Sequence, residues 1–126
     1  MIDHISLPVS DLTKSTAFYE ALLAPLGYKK LIERDANIGI GKAYPELWLN
    51  HRDEVRKAAN PGCHICLRAR SEDAVRAFHE AAVANGGTDD GAPGPRQGAF
   101  TTYFGAFIID PDGNKLEAVT FPRAEG

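Results

Sequence analysis

The chain opens on a short alternation. Ile5, Leu7 and Val9 fall on one side, and His4, Ser6 and Pro8 on the other. A period of two is that of a strand with one face packed and one face free. Ser10-Asp11 then offers a helix start, followed by apolar residues at helical spacing: Phe18, Ala21, Leu22 and Leu26. Pro25 and Gly27 end that helix, and strand-like segments are predicted at 28–34, 37–42 and 45–50. The same order then returns. Ile65, Leu67 and Ala69 oppose His64, Cys66 and Arg68, and Ser71-Glu72-Asp73 starts a helix carrying Val75, Phe78, Ala81 and Ala82. Asn85-Gly86-Gly87 ends it, and strands are predicted at about 87–90, 101–109 and 115–121. Asp110-Pro111-Asp112-Gly113-Asn114 forms the turn between the last two, with proline presetting φ and glycine accepting positive φ.

The two halves are copies. Residues 3–27 align without a gap on residues 63–87, and nine of the 25 positions are identical, His4/His64, Ile5/Ile65, Leu7/Leu67 and Phe18/Phe78 among them. Ordinary composition would give roughly two. The expected fold is α+β: a single domain over residues 1–126 with two βαβββ modules related by a pseudo-twofold axis. Module one covers about 1–51, a linker 52–62, and module two about 63–122. The longest irregular stretch, Gly91 to Gly98, reads as a surface connection or as a lid over a site.

Composition narrows the partners. With 14 basic and 17 acidic residues the net charge is −3, and no basic stripe points to nucleic acid. No apolar run nears the ~20 residues that span a bilayer, and the start MIDHISLPV lacks the basic and apolar regions of a secretory signal, so a cytoplasmic setting is expected. Cys63 and Cys66 make no disulfide framework. Three apart on a strand, they point to opposite faces, which leaves them as small buried residues, with Cys66 on the His64 face.

The repeat also pairs chemistry. A pseudo-twofold brings His4 and His64 face to face, and imidazole is the commonest protein ligand for a divalent transition metal. Two histidines and a carboxylate leave positions open for substrate. The last strand supplies a carboxylate, Glu117, on the parity of Val119 and Phe121 in an otherwise apolar run; a half-buried glutamate is costly unless paired or metal-bound.

These residues resemble the vicinal oxygen chelate superfamily, which includes glyoxalase I, extradiol dioxygenases, and fosfomycin and bleomycin resistance proteins. The resemblance rests on Ile2-Asp3-His4-Ile5, Val9-Ser10-Asp11-Leu12, Ala17-Phe18-Tyr19, His64, and Phe107 to Val119 (FIIDPDGNKLEAV), and spans nearly the whole chain. It implies curved mixed sheets enclosing a cleft, with His4, His64 and Glu117 as ligands of a divalent metal ion (Zn, Ni, Mn or Fe(II)). A fourth ligand can come from Glu46 to Asn50. Glu46 in that place resembles glyoxalase I, whereas Trp48 leaves three ligands, as in the dioxygenases, and the position of Glu46 directly after Pro45 favours three. The activity implied is that of a glyoxalase/lyase-like or ring-cleaving metalloenzyme acting on a small oxygen-chelating substrate, with Glu117 or Glu46 as base. The other reading is a non-catalytic, bleomycin-resistance-like binding protein. A homodimer fits both, since module pairing in this superfamily occurs within one chain or across subunits.

Arg68, Cys66, Trp48, Tyr103 and Arg96 are candidate substrate contacts, Arg68 and Arg96 for an anionic group and Tyr103 either for a substrate oxygen or as a core aromatic. His79 reads as a surface or packing residue, and His51 as a base at the cavity edge. No P-loop, GxGxxG or nucleophile elbow is present.

Overall fold

The computed structural model describes residues 1–55 and 62–122. Eight strands and two helices follow the predicted order: β1 (Ile5–Val9), α1 (Leu12–Leu23), β2 (Lys29–Glu33), β3 (Asn37–Gly41), β4 (Leu47–His51), β5 (Ile65–Arg68), α2 (Glu72–Ala84), β6 (Thr88–Gln97), β7 (Thr102–Ile109) and β8 (Lys115–Thr120). They form two mixed four-stranded sheets of matching order, β1-β4-β3-β2 and β5-β8-β7-β6. The first strand of each sheet runs parallel to the last and lies at an edge, while the other pairings are antiparallel. The fold is α+β with two βαβββ modules. The Arg52–Gly62 linker falls in part outside the described residues.

Each helix starts where the sequence offers an oxygen. Asp11, rather than Ser10, caps α1 by accepting from Lys14 N at 3.1 Å, and Ser71 caps α2 by accepting from Ala74 N at 3.1 Å. A 3-10 turn over Ala24–Leu26 closes α1, and Gly27 follows it at φ 86°, a left-handed conformation open to glycine. Phe18, Tyr19 and Leu22 of α1 and Val75, Phe78 and Ala82 of α2 are buried with Val9, Ile40, Leu49, Ile108 and Leu116 in one cluster. The helices also pack against each other, so the modules share a core.

Polar contacts at the DPDGN turn bolt the modules together. Tyr19 Oη donates to Asp110 Oδ2 at 2.5 Å, Ser10 donates to Asp112 Oδ1 through both N (3.1 Å) and Oγ (2.5 Å), and Asn114 Nδ2 donates to Pro8 O at 3.0 Å. Tyr19 is fully buried, and that burial, with the Asp110 charge beside it, holds its phenol well above the ordinary 10.0.

The structure corrects the reading of Gly91–Gly98 as a connection or a lid. Most of it is strand, the second half of β6, with register shifts between Asp89 and Gly91 and between Gly91 and Gly94. Prolines at 93 and 95 are tolerated because β6 is the outer edge of its sheet, where a missing N–H costs no ladder bond. The Arg96 guanidinium braces the irregular backbone by donating to the carbonyls of Ala92, Gly94 and Gly105. Among the described residues no helix is long and apolar enough to cross a membrane.

Candidate active site

Alternation in the second module raises one set of side chains on the sheet face away from the helices. Register places Cys66 of β5 beside Glu117 of β8, and Glu117 beside Phe107 of β7; the next row is Arg68, Val119 and Gly105. His64, just before β5, lies 3.1 Å from Glu117 Oε1 through Nε2, and its ring meets Phe107 edge-on at 5.7 Å. Tyr103 Oη donates to Glu117 Oε2 at 3.1 Å. The Cys66 thiol, also hydrogen-bonded to Glu117, is pushed up to about 12, first by desolvation and then by the carboxylate charge, with Arg68 opposing the shift. The same forces raise Tyr103, desolvation first and then the hydrogen bond to Glu117.

Glu117 is therefore the centre of this face. It is 4% exposed, yet no lysine or arginine pairs with it among the described residues; its partners are an imidazole, a phenol and a thiol. A buried carboxylate without a cation is expensive, so the donor set suits a bound divalent cation. His64 Nε2 and Glu117 Oε1 are of the right chemical type to ligate a metal.

The first module answers differently. His4 is exposed, and its Nδ1 donates to Asp3 Oδ1 at 2.7 Å, an oxygen that also accepts from Tyr44 Oη at 2.9 Å. These two hydrogen bonds, that of His4 first, lower the Asp3 carboxyl. His4 and Glu46 border a small hollow of about 120 Å³ with Leu23, Tyr28 and Ile40, whereas His64 borders a groove of about 1000 Å³ with Ser6, Pro8 and Thr88. Among the described residues no three His, Cys, Asp or Glu side chains converge on a point where a metal could bind. One chain brings together His64 and Glu117, and the structure gives His4 a different carboxylate partner.

Register also separates Glu46 from Trp48. Ile5 pairs with Leu47 as Ile65 pairs with Leu116, so Trp48 stands where Glu117 stands in the other module. Glu46 precedes β4, is exposed, and sits by backbone bonds with Ile5 and Ile40. Trp48 covers Gly39 and lies under the Arg34 guanidinium at 5.3 Å.

The other candidates fall as follows. Arg68 lies over Phe121 at 5.4 Å, on the Glu117 face. Arg96 has its guanidinium on three carbonyls and over Phe107. Tyr103 is a face residue rather than a core aromatic, because its strand parity matches Phe107 and not Ile108. Cys63 and Cys66 are free and exposed rather than buried, since Cys63 precedes β5 and Cys66 stands on the sheet face away from the helices. His51 is the last residue of β4, 3.9 Å from Asp53, and His79 pairs with Asp89 on the surface at 2.8 Å. Phe107 and Phe121 were not singled out as site residues in the sequence, although both share the parity of residues that were.

Comparison with known proteins gives this architecture its family. Residues 1–118 match the Glyoxalase/Bleomycin resistance protein/Dioxygenase superfamily, and the chain belongs to it. Its fold is similar to that of a glyoxalase/bleomycin resistance protein from Albidiferax ferrireducens, at 31% identity and a TM-score of 0.84, covering 93% of this chain and 96% of that one. A hypothetical protein from S. aureus is similar at 25% identity and a TM-score of 0.71, covering 94% and 95% of the two chains. A glyoxalase-related enzyme from Fulvimarina pelagi shares the fold at 19% identity and a TM-score of 0.72, covering 100% and 94%. No curated protein gives a significant match.

Proposed function

We propose that the protein is a metal-dependent enzyme of the glyoxalase/dioxygenase type, acting on a small substrate with neighbouring oxygen atoms. The observation that supports this reading is the buried Glu117 carboxylate, faced by His64, Tyr103 and Cys66 and by no cationic side chain among the described residues. His64 and Glu117 would hold a divalent ion together with His4. Because β1 and β5 are edge strands of separate sheets and one chain does not gather the three ligands, the proposed site lies between two copies, with His4 coming from the second. The ion, when bound, supplies Lewis acidity to the substrate oxygens.

The chain's own residues set the rest. Tyr103 fixes the orientation of Glu117 through Oε2, leaving Oε1 directed at His64. Glu117 is the carboxylate on this face placed to take a substrate proton. Gly105 lets the Tyr103 ring pack down beside Val119, since a methyl group there would sit 2.9 Å from that ring. The two free thiols suit a reducing, cytoplasmic setting.

The test is titration of the purified protein with Zn, Ni, Mn and Fe(II) by calorimetry. Stoichiometric binding is expected, weakened about 100-fold or more in His64→Ala and in Glu117→Gln. Retention of parental affinity by both variants overturns the ligand assignment. The absence of three gathered ligands in one chain also favours a second reading, a non-catalytic small-molecule binding protein. A protein that takes up none of the four metals but still binds small molecules in its cleft would establish that reading instead.

A further inference from the structure

The second sheet carries a charge that the proposed metal site does not use. Arg68 lies one row beyond Cys66 and Glu117, on the same face, at a strand spacing of about 6–7 Å. Its guanidinium rests over the Phe121 ring at 5.4 Å and has no carboxylate partner among the described residues. The neighbouring cations are committed. Arg96 is spent on three backbone carbonyls, and Lys115 on Asp90 at 2.8 Å. Aromatic and apolar groups neighbour Arg68: Phe121 and Tyr103 stand 5.8 Å apart, tilted by 41°, with Val119 and side-chain-free Gly105 in the row of Arg68.

We infer that Arg68 and the Phe121–Tyr103 rim form a subsite for a carboxylate borne on a flat apolar group, so that the substrate of the proposed site is an aryl or similarly planar carboxylic acid whose chelating oxygens lie at its other end. This rests on the functional reading above for the chelating end only. One uncommitted guanidinium matches a monoanionic carboxylate through its planar fork; a phosphate dianion calls for more donors than this rim offers. Phe121 holds Arg68 in place beneath its guanidinium, and Tyr103 beside it offers an aromatic surface to a planar ligand.

Phenylacetate tests the subsite without metal. In an NMR titration of the whole protein it is expected to shift signals of Arg68 and Phe121, to bind about tenfold more weakly to Arg68→Gln, and to recover part of that loss in Arg68→Lys. Neutral phenylacetamide is expected to bind at least about tenfold more weakly than phenylacetate to the parent protein. Equal binding of the two probes, equal affinity in Arg68→Gln, or no binding of phenylacetate overturns the inference. A parallel titration with 3,4-dihydroxyphenylacetate, with and without Mn(II), reports on the other end. A gain in affinity with Mn(II) supports the chelating reading as well. No gain removes that reading and leaves Arg68 to be judged on phenylacetate alone.

Discussion

The two modules hold the same three face positions with different residues. Ser6, Trp48 and Gly39 in the first stand where Cys66, Glu117 and Phe107 stand in the second. In the first module the place of the carboxylate is filled by an indole lying on a glycine, and the exposed His4 sits at β1's leading end. In the second, a buried carboxylate, an imidazole, a phenol and a thiol meet. The scaffold is the same and the chemistry differs, and on the metal-site reading proposed above neither module alone supplies all the ligands.

That asymmetry can be broken most sharply by mixing two inactive halves. If the proposed site is shared between copies, His4→Ala and His64→Ala chains are each expected to lose metal. Refolded together in equal amounts, they should regain about a quarter of parental binding, because half of the dimers are mixed and each mixed dimer has one intact site. No recovery, measured by metal content after desalting, would place the site within one chain.

A smaller effect separates the modules at their bolt. Tyr19→Phe removes the hydroxyl that Asp110 accepts and is expected to cost about 1–3 kcal/mol in denaturant unfolding at neutral pH. Its pH dependence has a definite sign. The folded state holds the Tyr19 phenol well above 10.0, so its contribution is fully present below pH 10 and is lost as pH rises above it, where the unfolded chain ionises first. The parent should therefore lose stability faster than Tyr19→Phe above pH 10, and parallel alkaline limbs would contradict the assignment. The smallest contrast is between the caps. Asp11→Ala and Ser71→Ala each remove one bond to a first-turn N–H, and thermal unfolding should show a cost of about 1 kcal/mol for either, equal to within a factor of two.

Much of this fold was legible in the sequence because the repeat is ungapped through its first strand and helix, where period two passes cleanly into period 3.6. His64 and Glu117 were legible for the same reason, since alternation put them on one face. Trp48 and Glu46 were not separable, because parity is blind to a shift of two, and strand register alone equates Trp48 with Glu117. Gly91 to Gln97 was misread because its glycines and prolines carry turn chemistry, while what makes it a strand is the distant pairing with β7, helped by Arg96 reaching Gly105. The exposure of Cys66 was hidden for a related reason: whether a sheet face is covered is decided by tertiary packing, not by the strand's own residues.

Those prolines have a consequence beyond the site. A sheet edge is a template on which another chain's strand can grow, and long stacks of this kind end in insoluble fibres. The two outer edges here are both closed to such growth, β6 by Pro93, Pro95 and its register shifts, and β2 by a bulge and the charges of Lys29, Lys30 and Glu33. Edge-to-edge polymers need two open rims per molecule facing opposite ways. By blunting the far rim of each sheet, the fold leaves the edges of β1 and β5 as the rims open to strand-edge association.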